Sequence, residues 1–316
     1  DTPGKGRYRE FYQCDVDVVG STSLLVEAEV AGAAVECVRR LGFREFTLRL
    51  NHRGLLRALV ERAGIAADRE VDAITAIDKL DKLGSEGVDR ELAERGVAEA
   101  SRRQLLELLE GGATLERVAA FVAGHVTGEQ AIRELRTLLE LSAGTAAGEH
   151  IRFDLALARG LGYYTGCIFE LASPKFGGSL GGGGRYDGLI GLFLGRSVPA
   201  CGFALGFERL LLLMEEGGLF PSDLAAIDLV LGSTSDDGGI ELLRLARQLR
   251  ELGLRVSLVP KAEKPARLRK SAEERSARHA LWLENGQYQL WTRAADSTER
   301  GLDAAGVLRY LGEQAR

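Results

Sequence analysis

Cysteine and histidine are scarce in this sequence, and long apolar runs are missing. The four cysteines (Cys14, Cys37, Cys167, Cys201) stand far apart, with no CxxC pair. That spacing argues against a disulfide framework or a zinc site and fits a reducing cytoplasm. The four histidines are scattered and form no HExxH, so the metalloprotease helix signature is missing too. No apolar run approaches the roughly 18 residues of a membrane span. The opening DTPGKGRYRE has no signal-peptide pattern, so neither a membrane partner nor secretion is expected. Charge of one sign does not dominate: the net is −5, with 28% charged and 45% hydrophobic residues, the balance of an ordinary globular protein. At 316 residues the chain should divide into about two domains.

What the sequence does have is glycine in one place. Fourteen of its 40 glycines lie between Gly160 and Gly206. Glycine costs backbone entropy and serves where the chain turns sharply or approaches something closely. The stretch runs FDLALARGLGYYTGCIFE, then GGSLGGGGRYDGL, which reads as a glycine-rich turn, then VPACGFALGFERL. Set among these glycines are Arg159, Tyr163, Tyr164, Arg185, Tyr186, Asp187, Glu208 and Arg209. Arginines and tyrosines beside bare backbone suggest a pocket for an anionic, planar ligand.

Residues 7–19 read as a strand. One face then holds Phe11, Gln13, Asp15 and Asp17. Two carboxylates on a buried face are costly unless paired or ligand-bound, so this is either a solvated edge strand or part of a site. Helical spacing over Leu24–Leu41 ends at Gly42, and Phe46, Leu48 and Leu50 alternate as a second strand. Residues 66–148 are helical in pattern, with IDKLDKL (77–83) as an amphipathic surface helix. Thr127 and Gln130 fit a capping box. Phe153, Leu155 and Leu157 alternate in a third strand that delivers Arg159. Arg209 falls in the first turn of a helix, where the dipole disfavours a cation, so its presence suggests an anionic partner. After a boundary near 221–226, strands alternating with helices indicate a small α/β domain over 227–316, with an Asn285-Gly286 hairpin. Within it, 261–278 has a net charge of +4 in a chain whose remainder is −9. That is either a solvated helix face or a footprint for a phosphate backbone.

RYREFYQCDVD, LARGLGYYTGCIFE, GGGGRYDGL and GFALGFERL together resemble, in order, the second half of motif 2, the two histidine-specific signatures and motif 3 of the histidyl-tRNA synthetase family. These are class II aminoacyl-tRNA synthetases. The resemblance implies an α+β fold: a six- or seven-stranded antiparallel sheet flanked by helices in a catalytic domain over 1–222. A helical insertion at about 66–148 and an anticodon-binding-like domain over 227–316 complete it. It implies ATP-dependent activation of histidine to histidyl-adenylate, transfer to tRNA(His), Mg2+ as cofactor, a homodimer, and a cytoplasmic location. Carried over by position, Arg7, Arg9 and Arg209 are implied to bind ATP. Arg159 is implied to be catalytic and to touch the histidine carboxylate. Gln13, Asp17, Tyr163, Tyr164 and Tyr186 are implied to bind histidine. Lys261, Lys264, Arg267, Arg269 and Lys270 are the candidate tRNA contacts. The metal ligands are not assignable, with Glu208 a loose candidate.

The sequence departs from the family pattern in two ways. Motif 1 and the first half of motif 2 have no counterpart in it, and Gly162 stands where many members have aspartate. Two rival readings follow: a catalytically weak or inactive paralogue like the regulatory subunit of ATP phosphoribosyltransferase, and an RNA- or histidine-sensing module. Arg159 and the additional domain favour the synthetase.

Overall fold

The computed structural model describes residues 4–6, 8–110, 113–158, 162–221 and 227–314. The chain divides into two compact units, Asp1–Leu219 and Phe220–Arg316.

The first unit begins with β1 (Gln13–Val19) and α1 (Leu24–Arg40). Ser23 caps α1 by accepting from the Leu25 N–H, and the chain leaves the helix through Gly42 at φ +93°, a conformation that favours glycine. Next come β2 (Thr47–His52) and α2 (Arg53–Arg62), then five helices: α3 (Glu70–Ile77), α4 (Leu80–Glu94), α5 (Glu99–Glu110), α6 (Leu115–Phe121) and α7 (Val126–Ser142). The IDKLDKL segment is not one helix. α3 ends at Ile77, which is fully buried, and Gly84 at φ +66° breaks α4. Nor does Thr127 cap α7. His125 does, its Nδ1 accepting from the Gly128 N–H while Glu129 accepts from the Gly124 N–H. An imidazole nitrogen is as good an acceptor as a hydroxyl, and His52 caps α2 in the same way.

The remaining elements of this unit are β3 (Ile151–Phe153), β4 (Cys167–Ser173), β5 (Phe176–Arg185), α8 (Leu189–Leu194), β6 (Ala200–Gly206) and α9 (Phe207–Glu216). The strands form a six-stranded sheet in the order β1-β6-β5-β4-β2-β3, antiparallel throughout except for β2–β3. Two expectations change here. The glycine-rich run is not a turn but β5, a ten-residue strand inside the sheet. The third strand stops at Phe153. Asp154 accepts from the Ala156 N–H, closing a turn, and the Asn51 amide donates to the Leu155 and Leu157 carbonyls in place of a ladder.

Register explains the glycines of β5. Across the sheet, Leu50 faces Phe169, Phe169 faces Gly183, and Gly183 faces Phe203. Two buried rings therefore flank Gly183, and a Cβ there would overlap the Gly202 carbonyl. This apolar face is the core, with α1 against β6 and α7 against α1, α2 and β2. β1 pairs with β6 alone, and its residues are almost all exposed, which matches the edge-strand reading.

The second unit has β7 (Leu229–Ser233), α10 (Gly239–Glu251), β8 (Val256–Leu258), α11 (Pro265–Glu274), β9 (His279–Glu284), β10 (Gln287–Thr292), β11 (Ser297–Leu302) and α12 (Ala304–Gln314). Its sheet runs β11-β10-β9-β7-β8, with β7 parallel to β8 and β9. Leucines of α10 and α12 pack on Leu229, Leu231 and Leu281, while Leu268 and Ala272 of α11 pack against Val230 and Trp282. β11 escapes the sequence pattern because STERGL is a solvated edge strand without apolar alternation.

Asp228 anchors the start of this unit. It accepts from the Arg255 backbone N–H at 2.7 Å and from its guanidinium at 3.2 Å. Burial alone would raise its carboxyl, but Arg255 and Arg278 outweigh burial and hold it below the usual carboxylate range. The stabilisation is therefore complete above the unfolded carboxylate pKa of about 4, and it is lost as pH falls through the lower folded value. Asp228→Asn is expected to cost about 2 kcal/mol at neutral pH. In urea unfolding against pH, the variant and the parent should converge below about pH 3.

Candidate active site

The sheet face opposite the core is floored by backbone. Gln13, Asp15 and Asp17 of β1 stand opposite Gly206, Ala204 and Gly202 of β6, and Ala204 and Gly202 stand opposite Gly182 and Gly184 of β5. Only glycine fits at 202, because a Cβ would overlap the Asp17 carboxylate. At 184, a Cβ would meet the Tyr164 ring at 2.9 Å. The glycines thus lower the floor and let polar side chains lie across it.

At one end, Tyr186 donates its hydroxyl hydrogen to Asp17 Oδ1. Burial, then this bond to a carboxylate, push the Tyr186 phenol well above its ordinary range. Tyr163 lies tilted against Tyr164 with ring centres 4.5 Å apart, donates to its oxygen at 3.4 Å, and meets Tyr186 edge-on at 6.1 Å. Burial and then the charge of Asp17 raise the Asp15 carboxyl. Asp17, Tyr163, Tyr164 and Tyr186 therefore form one cluster: three rings and a carboxylate.

At the other end, Arg209 lies in the first turn of α9. Its Nε donates to the Gly6 carbonyl at 3.1 Å, a terminal nitrogen donates to the Ser179 carbonyl, and the guanidinium sits 5.8 Å from the centre of the Phe176 ring. Gln13 is opposite Gly206, three residues before Arg209. Gln13 and Asp17 are four strand steps apart, about 13 Å, so the floor has a guanidinium end and a phenol–carboxylate end.

Arg9 is exposed and makes no hydrogen bond or ion pair among the described residues. Arg7 and Arg159 lie outside the described residues. Among the described residues nothing lies within 4 Å of a Cβ built at Gly162, so they leave room for a side chain there. Glu208 accepts from the Tyr12 N–H at 2.6 Å and so tethers the approach to β1. Among the described residues no group of three or more His, Cys, Asp or Glu side chains could hold a metal ion.

Two arginines organise the surroundings: Arg49, for which no role was expected, and Arg185, expected among the pocket arginines but buried away from it. Arg49, on the floor side of β2, joins Asp154 (2.5 Å), Glu170 (3.1 Å) and Asp81 (2.8 Å), tying α4 to the sheet. Arg185 pairs with the buried Glu27 of α1. All four of these carboxylates are distant in sequence from their arginine, and no local spacing announces them. In the second unit, Arg269 of α11 edges a hollow of about 490 Å³ lined with Trp282, Glu284, Gln289, Thr298 and Arg300. Lys261, Lys264, Arg267 and Lys270 are exposed and do not line it.

The family model for histidyl-tRNA synthetase matches residues 1–210. The chain belongs to the histidyl-tRNA synthetase family. It is 46% identical over 266 residues to the histidine–tRNA ligase of Gloeobacter violaceus, covering 82% of this chain and 57% of that protein. It is 48% identical over 225 residues to that of Leifsonia xyli subsp. xyli, covering 68% and 52%. The chain thus spans a little over half the length of these curated relatives. The histidyl-tRNA synthetase of Nostoc sp. PCC 7120 shares the fold, with a TM-score of 0.83, 23% identity, and coverage of 98% of this chain and 75% of that one. A Bacillus halodurans structure described as an ATP phosphoribosyltransferase regulatory subunit/histidyl-tRNA synthetase superposes with a TM-score of 0.67 at 25% identity, covering 83% and 66%. This class II synthetase fold, a largely antiparallel sheet flanked by helices, is the one the motifs imply. No helix among the described residues is long and apolar enough to cross a membrane.

Proposed function

We propose that this chain supplies the histidine- and ATP-binding floor of a histidine–tRNA ligase, which activates histidine to histidyl-adenylate and passes it to tRNA(His). The observation that supports this best is the Tyr186–Asp17 pair beside Tyr163 and Tyr164. Asp17 can accept the imidazole N–H. Tyr186 spends its hydrogen on Asp17, so its oxygen can accept a second polar hydrogen. A ring with no polar edge would leave both groups unpaired, and that discriminates strongly.

At the far end, Arg209 would meet the nucleotide, its guanidinium offering planar and ionic contact together. The histidine carboxylate attacks the α-phosphate, so charge grows on phosphate oxygens. The protein's contribution is alignment plus fixed positive charge, which Arg7, Arg9 and Arg159 are proposed to add. Gln13 is proposed to hold the amino acid backbone. With no protein cage among the described residues, Mg2+ would arrive as the counter-ion of the triphosphate. A cytoplasmic homodimer is the assembly proposed.

The test is calorimetry with histidine and ATP, followed by histidine-dependent ATP–pyrophosphate exchange. Absence of histidine binding overturns the reading. Binding without exchange supports instead a regulatory paralogue, a role named for the Bacillus halodurans neighbour.

The second unit is proposed to bind tRNA through Lys261, Lys264, Arg267, Arg269 and Lys270. Arg269, Glu284, Gln289, Thr298 and Arg300 line the hollow with mixed donors and acceptors, as an unstacked base requires. Arg269→Ala is expected to weaken tRNA binding about tenfold at low salt and to reduce the slope of log K against log salt by about one. Filter binding across a salt series measures both.

A further inference from the structure

We infer that the chain from buried Glu27 through Arg185 to half-buried Asp187 is a positioning device for the ring-binding end of the site: it fixes Tyr186 over Asp17 and thereby sets selectivity for a ligand ring with polar edges. The inference rests on the histidine reading above. Glu27 is 0% exposed and Arg185 7%. The guanidinium is gripped from several sides. Its Nε and one terminal nitrogen donate to the two Glu27 oxygens at 2.5 and 2.6 Å. The other terminal nitrogen donates to the Ser21 carbonyl at 3.0 Å and to Asp187 Oδ1 at 3.1 Å. Asp187 Oδ1 also accepts from the Ala200 N–H at 3.0 Å, and the Asp187 N–H donates to Thr165 Oγ1 at 3.1 Å.

Tyr186 lies between these two anchored residues, and its own N–H donates to the Ala200 carbonyl at 2.8 Å. α1, the 21–23 turn, β5 and β6 are thus locked to one another around one tyrosine. Its phenol swings to the floor side while Arg185 points into the core. Stability alone does not require this arrangement, since a well-packed apolar group usually stabilises as well as a buried ion pair. What the pair adds is direction: a bidentate fork admits a single orientation of the strand end. Tyr186 and Asp17 are themselves far apart in sequence, and the hydrogen bond between them needs both strands placed to within a fraction of an ångström.

Arg185→Lys keeps the charge and loses the fork. Asp187→Asn removes one charge while keeping an oxygen for the Ala200 N–H, so its comparison stands even if Arg185→Lys fails to fold. In the 316-residue chain, both variants are expected to weaken histidine binding about tenfold while ATP affinity stays within about twofold. The Tyr186 Cζ carbon signal in tyrosine-labelled protein should move, and its phenol should titrate nearer the ordinary range. Equal loss of both ligands, or unchanged histidine affinity with an unmoved Tyr186 signal, would overturn the inference. A parent chain that binds no histidine would sink the functional reading instead, and the Tyr186 signal would then decide the positioning claim by itself.

Discussion

Asp17→Ala is expected to weaken histidine binding by about 100-fold, read by calorimetry on the otherwise unchanged chain. Two losses combine. The ligand's ring N–H loses its acceptor, and the Tyr186 hydroxyl, now without Asp17, is left unpaired or turns to compete for the ligand. Asp17→Asn separates them. An amide oxygen can still accept from Tyr186, but it offers no negative charge to the ring, so an intermediate loss of about tenfold is expected. On the proposed reading ATP meets the Arg209 end, about 13 Å along the strand, so its binding should change little in either variant. Equal loss of ATP and histidine affinity would mean that the floor does not divide into two ends.

Gly183→Ala should produce the largest loss of stability, roughly 3 kcal/mol, read as a lowered urea midpoint. The new methyl would meet the Gly202 carbonyl and the Phe203 backbone, neither of which can move without displacing β6. Gly162→Ala is the contrast. Among the described residues nothing lies within 4 Å of a Cβ at that position, and the change should stay within about 0.5 kcal/mol. If the two substitutions cost the same, close strand approach is not the reason for the glycines of β5.

Several things were legible in the residues before any coordinates. The odd face of β1 already showed carboxylates in the wrong place for a core, and the four motifs together pointed to the family and its fold. Arg209 in a helix's first turn and the Asn285-Gly286 hairpin were local signals, and Asn285 and Gly286 do take φ of +51° and +75°. The failures share one cause. GGSLGGGG looked like a turn because glycine is the usual turn residue, yet here it makes a central strand, since Phe169 and Phe203 supply the side chains that β5 lacks. The cap of α7 was misplaced because histidine is not an expected cap, and the Glu61 that holds His125 comes from elsewhere in the chain.

By itself, then, the order of residues determined which segments are strands with a polar face, where helices stop, and which chemical groups are on offer. Those are properties of neighbours, set by alternation, spacing and backbone freedom. The tertiary structure alone decided that Tyr186 reaches Asp17, that Arg185 meets Glu27, and that Arg49 joins Asp81, Asp154 and Glu170. Each of these contacts spans dozens of residues or more, and register across a sheet, which no single strand encodes, brings the partners together.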